Sequence, residues 1–123
     1  MNGKVDITER SFRFAGRIVN LCRILEKQGK VCYTLSNQLL RAGTSIGANI
    51  EEAQAGQSKA DFTAKMSIAR KESREALYWL RLLFETEIVA QNQLQEIMRE
   101  SDELVRILTT IVKTAQTGGR HVK

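Results

Sequence analysis

Chemistry in this chain would have to come from its carboxylates, hydroxyls, two thiols and one imidazole. Glu72 and Glu75, with Glu51 and Glu52, suggest the carboxylates of a di-iron helical bundle. Such centres take a Glu-x-x-His motif from each of two helices, and the single histidine, His121, stands in a Gly-rich tail. Cys22 and Cys32 lie ten residues apart, without CxxC or CxxC…HxxxH spacing. No zinc site is therefore expected, and buried or idle thiols are the simpler reading. Ser45 has no histidine to activate it, and Gly118 and Gly119 are terminal, so they form no phosphate loop. The chain is expected to hold no catalytic residue, no metal and no cofactor, and to act on no small-molecule substrate.

The polar residues that do carry a pattern lie between Gln38 and Gln54. At about 100° per residue, Leu35, Leu39, Ala42, Ile46, Ile50 and Ala53 fall on one helix face, and Gln38, Arg41, Ser45, Asn49 and Glu52 line a flank beside it. Ser and Asn weaken a helix interior unless something holds them, so the stripe reads as a polar contact between helices. A third face holds Leu40, Gly43, Thr44, Gly47 and Ala48. Glycine in a helix costs about 1 kcal/mol relative to alanine, so Gly43 and Gly47 imply a closely approaching neighbour, either within the bundle or in another subunit.

The elements that must position these stripes follow from composition and periodicity. The chain has 123 residues, no proline, where average usage of about 5% would give roughly six, and 42% hydrophobic residues. It reads as one domain over 1–123, with long uninterrupted helices. No apolar run reaches the roughly 20 residues of a membrane span, and the N-terminus lacks a signal-peptide core, so a cytoplasmic location is expected. Asp6 with Glu9 forms a capping box opening a helix of about 6–28, with Phe14, Ile18, Leu21 and Leu25 inward. A second helix runs from about 31 to 55 and stops at Gly56 as a C-terminal cap. Ser58 and Asp61 cap a third of about 58–87, with Phe62, Met66, Ala69, Ser73, Ala76, Leu80 and Leu83 inward. The fourth, about 92–116, carries Leu94, Ile97, Ser101, Leu104, Leu108, Ile111 and Ala115; residues 117–123 read as a frayed tail. Short connections make consecutive helices antiparallel, giving an all-α, up-down-up-down four-helix bundle. A hairpin centred near Gln57 sets Arg41 opposite Glu72, with Glu75 within a turn, and Asn49 opposite Lys65. Arg41 with Glu72 or Glu75 is then a partly buried ion pair that fixes register.

The run QLLRAGTSIGANIEEA, followed by SKADFTAKMSIARKESREALYWLRLL, resembles the small four-helix-bundle proteins encoded in intervening sequences of bacterial 23S rRNA genes. The likeness extends more loosely to FAGRIVNL (Phe14 to Leu21) and to the last helix. What the resemblance implies is a bundle assembling into rings, commonly pentameric, with no established enzymatic activity. Related bundles are basic accessory proteins that bind RNA and a reverse transcriptase in diversity-generating retroelements, and this chain resembles those in size and fold alone.

Charge is the independent hint about partners. Residues 1–50 hold eight basic and three acidic side chains, whereas 51–86 balance six against six and 87–123 five against five, so the net +5 resides in the first half. Arg10, Arg13, Arg17 and Lys27 share one stripe of the first helix, suited to phosphates; an ordinary solvated face is the alternative. Without interleaved aromatics, binding there would be electrostatic and tolerant of sequence. The leading expectation is a non-enzymatic homo-oligomeric scaffold or accessory protein binding RNA or DNA through this face. The alternative is a protein-interaction module for a partner encoded nearby, with no nucleic-acid role.

Overall fold

Four helices account for nearly all of the computed structural model, which describes residues 6–121, with side chains as far as Gly118. They are α1 (Ile7–Leu25), α2 (Lys30–Gln54), α3 (Lys59–Thr86) and α4 (Gln91–His121). Asp6 opens α1 by accepting from the backbone N–H groups of Thr8 (3.1 Å) and Glu9 (3.3 Å), satisfying donors that have no partner within the helix. The reciprocal half of the box is replaced, because the Glu9 carboxylate turns to Arg13. Ser58 caps α3 as expected, its Oγ accepting from Asp61 N–H at 3.0 Å.

Helix ends depart from the sequence reading in all four helices. α1 stops at Leu25 rather than Gln28, where the chain turns over Glu26 to Gly29; Gly29 takes φ 111° as it enters α2, a conformation that only glycine adopts at low cost. Gly56 is not in the left-handed region, and α2 ends on a right-handed Ala55 instead. Glu87 is the residue that adopts a left-handed cap, at φ 55°, closing α3. The expected frayed tail is helical as far as His121, with Thr117 Oγ1 donating back to Lys113 O at 2.9 Å; Val122 and Lys123 lie outside the described residues.

α2 is the hub. It packs along its length on α1 and α3, α3 packs equally closely on α4, and the α1–α4 seam is much the thinnest. That seam is antiparallel, as Arg10 meets Glu100 while Arg17 meets Glu96, so the four helices alternate in direction. The interior is built from Phe14, Ile18 and Leu25 of α1, Leu39, Ile46 and Ile50 of α2, Met66, Leu80 and Leu83 of α3, and Leu94, Leu104 and Leu108 of α4, all buried. Leu21, Leu35, Phe62 and Ile111 close its edges. Four serines sit inside: Ser11, Ser36 and Ser73 donate to carbonyls of their own helices, a local pairing that removes most of the cost of burying a hydroxyl, while the buried Ser101 Oγ has no hydrogen-bond partner among the described residues. Among the described residues no helix is long and apolar enough to cross a membrane.

Candidate functional site

Each helix flank singled out by the residue pattern has a definite fate. The basic face of α1 is committed within the bundle at one position, Arg10. Arg10 makes a two-pronged contact with Glu100, Nε to Oε2 at 2.6 Å and Nη2 to Oε1 at 2.9 Å, and also donates to Glu103. Those hydrogen bonds, Glu100 foremost and then Glu103, raise the guanidinium pKa further against the opposing effect of burial. Arg10 is thus a clamp between α1 and α4, its charge already matched, and this corrects its expected place among phosphate contacts. The matching acids Glu96, Glu100 and Glu103 recur at four and three residues on α4, a spacing visible in the sequence once α4 is placed beside α1. Arg13 pairs with Glu9 on its own helix at 3.0 Å but is 75% exposed, and Arg17 lies 3.7 Å from Glu96. Exposed pairs of this kind are worth about 0 to 1 kcal/mol, so both cations can exchange partners. Lys27 is exposed, with no acid in ion-pair range among the described residues.

The polar flank of α2 meets α3 as one network and one local pair. Arg41 reaches Glu72 at 3.3 Å and also contacts Glu75, and Gln38 accepts from Arg41 at 3.4 Å. Trp79 Nε1 donates to the same Glu75 oxygen at 3.1 Å, so the indole is pinned as a packing anchor over the seam. Glu72 is only 12% exposed whereas Arg41 is 51% exposed; the arginine lies over the seam rather than in it. Asn49 does not reach across to Lys65. Its amide donates to Ser45 O (2.9 Å) and Ser45 Oγ (3.1 Å) on its own helix, a four-residue bond that competes successfully with a partner on the next helix. Glu52 is exposed, and Lys65 is half-buried without an ion pair among the described residues.

The glycine face is explained inside one chain. A Cβ at Gly43 would stand 2.9 Å from both Cγ atoms of Ile18, and one at Gly47 would stand 3.3 Å from Ser11 Oγ and 3.4 Å from Ser11 O. The close neighbour is therefore α1. Because α1 lies so low on α2, the outer rims of the two helices form a shallow groove of about 480 Å³, lined by Phe12, Ala15, Thr44, Gly47, Ala48 and Glu51. Phe12 is 69% exposed at its edge, and Val19, Leu40 and Tyr33 extend the apolar strip. Phe12 and Val19 escaped the sequence reading, although their seven-residue spacing off the core stripe of α1 was there to find.

Among the described residues no three His, Cys, Asp or Glu side chains converge as metal ligands, and the His121 side chain lies outside them. Cys22 and Cys32 are both buried and unbridged. Burial, aided by the negative charge of Glu26, pushes the Cys22 thiol up to about 11, the opposite of what a thiolate nucleophile requires.

Comparison with known proteins bears on this arrangement as a whole. The model of the family described as 23S rRNA-intervening sequence protein matches residues 3–110. The chain is similar to a crystallised protein of unknown function from the S23 ribosomal protein family of Bacteroides thetaiotaomicron. The two share 45% sequence identity and a TM-score of 0.81, over 89% of this chain and 100% of that one. No curated protein matches.

Proposed function

The chain belongs to the 23S rRNA-intervening sequence protein family, and from that premise we propose that it works without catalysis, as a self-associating four-helix scaffold whose copies meet through the α1–α2 groove. The observation that carries this reading is Phe12, a large apolar side chain 69% exposed beside a strip of small residues. A contiguous apolar strip of this kind marks an interaction site more often than idle surface. Ala15 and Ala48 leave room for another backbone to come close. A head-to-tail contact through such a groove closes into a ring when the rotation per copy divides a full turn, and five copies is the number the family resemblance favours. Light scattering on the wild type and on Phe12→Ser tests the reading. The expected outcome is an oligomer for the first and a monomer of unchanged helicity for the second; a wild-type monomer at micromolar concentration would remove it.

Two further activities attach to the scaffold. The exposed cations Arg13, Arg17 and Lys27 support low-specificity binding of RNA or DNA, since only weak surface pairs hold the first two. The alternative, a docking module for a protein encoded nearby, draws on the same apolar groove. Titrating a short RNA against the double variant Arg13→Gln with Arg17→Gln separates these: a lowered salt dependence supports nucleic acid on α1, and no binding at low salt leaves the protein partner.

A further inference from the structure

We propose that the outward face of α3 is a binding surface for single-stranded nucleic acid, on which Lys71, Arg74 and Arg81 meet phosphates and Tyr78 stacks on a base. These four residues follow one another at spacings of three, four and three, which at about 100° per residue confines them to an arc of roughly 80° along about 15 Å of helix. All four are exposed, Tyr78 by 55%. Tyr78 and Trp79 meet edge to face, ring centroids 5.0 Å apart and planes at 77°, so Trp79 covers at most one face of the phenol ring. A cation stripe with an open aromatic in its middle is the combination that sequence-tolerant single-strand binders use, backbone tracking by charge and stacking on a π face.

The exposed aromatic among its cations, which the α1 stripe lacks, favours this face over α1. The even count of acids and bases in residues 51–86 conceals a separation across the helix. Glu72 and Glu75 face α2 and are held by Arg41, leaving the bases outward with Glu85 among them. Among the described residues, Lys71, Arg74 and Arg81 form no ion pair; on α1 and the turn after it Arg23 and Lys27 also form none, whereas Arg10, Arg13 and Arg17 do. Beside Tyr78, α3 and α4 enclose a cleft of about 530 Å³ floored by Leu77, Phe84 and Met98, with Arg81 and Arg99 on its rim. Asp102, also on that rim, is paired with Arg106 at 3.0 Å; Glu85 is the opposing charge there. An apolar floor between arginines suits a planar base whose phosphates lie on the rim. This surface lies on a different helix pair from the self-association groove, so the inference does not rest on that reading.

Fluorescence anisotropy with short oligouridylate, oligothymidylate and a duplex of equal length tests it, between about 50 and 200 mM salt. Single strands should bind more tightly than the duplex, and comparison of the two homopolymers tells RNA from DNA. Tyr78→Ala should weaken single-strand binding about tenfold with the salt slope unchanged, and Tyr78→Phe should restore it. Arg74→Gln with Arg81→Gln should lower the slope by about 0.7 per lost phosphate contact, and Arg13→Gln with Arg17→Gln should leave it alone. Circular dichroism of each variant reports that the exposed substitutions leave the helices intact. The proposal is overturned by indifference to Tyr78→Ala, by duplex binding as tight as single-strand binding, or by a slope that responds to the α1 pair alone. That last result would leave the α1 reading standing, while absence of any binding at the lowest salt would remove both.

Discussion

The two flanks of α2 solve the same packing problem with opposite materials. Toward α1 the helix offers Gly43 and Gly47, and the contact is made by shape, with Ile18 and Ser11 pressed against bare backbone. Toward α3 it offers Gln38 and Arg41, and the contact is made by charge, with long side chains lying over the seam. A shape contact tolerates no added volume, because buried interiors are close-packed. A charge contact at the surface tolerates more, because solvent screens what is removed. The difference teaches what each flank adds to a shared apolar core: toward α1 a steric lock, and toward α3 a polar network that water can partly replace.

The largest effect that would break this comparison lies at Gly43. Gly43→Ala gains about 1 kcal/mol of helix propensity but drives a methyl into Ile18, which is fully buried and stiff at χ1. A net loss is expected, growing to about 3 kcal/mol for Gly43→Leu. Gly47→Ala, with its nearest atoms at 3.3 and 3.4 Å, should come out close to neutral. Urea denaturation of the three variants checks the order, and equal losses at both alanine positions would deny the steric account.

Arginines sharpen the comparison next. Arg10→Ala should cost about 2 kcal/mol, between the values for surface and buried pairs, because the Arg10 and Glu100 side chains are only 23% and 22% exposed. Arg41→Ala should cost about 1 kcal/mol, less than a buried pair, since the guanidinium is half in water. Denaturation at low and high salt is the measurement, with the Arg41 loss shrinking more as salt screens it. The reverse order would place Arg41, not Arg10, in the interior.

The smallest expected effect concerns the thiol in the shape-packed seam, where Cys22 Sγ donates to Ser36 O at 3.4 Å. Its pKa is raised from 9.0 to about 11 by burial and then by Glu26. The folded state therefore prefers the neutral thiol, and the unfolded chain ionises first. Any stability that this preference supplies is intact below pH 9 and is lost as pH rises toward 11. The stability difference between wild type and Cys22→Ala should move in that window and be flat below it. A difference independent of pH would show a thiol that titrates as it does in the unfolded chain.

How much of this was legible in the residues depended on whether a signal was carried by one helix or by two. The core of each helix was, because inward positions repeat every three or four residues within one segment, as Phe14, Ile18 and Leu25 do. The Arg41 pairing with Glu72 and Glu75 was too, since a short hairpin fixes which residues of α2 and α3 face each other. Arg10 was misread because its partners are 90 residues away, and a charge count over the first half of the chain cannot see them. Asn49 was misread because the local bond to Ser45 and the distant one to Lys65 are equally compatible with the spacing. The α3 stripe stayed hidden for a related reason, as counting charge along a segment averages the two sides of a helix.

The Arg10 clamp also bears on the order in which the molecule assembles. Apart from it and Arg17–Glu96, the helix contacts described here join helices consecutive in the chain, so nearly all of the interior forms by closing short loops, the kind of topology that folds fast. Bringing α1 to α4 requires closing the longest loop in the protein, for a seam that contributes the least packing. During synthesis α1 can settle on α2, and α2 on α3, before Glu100 has been made. The clamp is then a latch thrown last, and until it closes a nascent chain presents the α4-facing side of its core to whatever else is nearby, including a second chain on the same message.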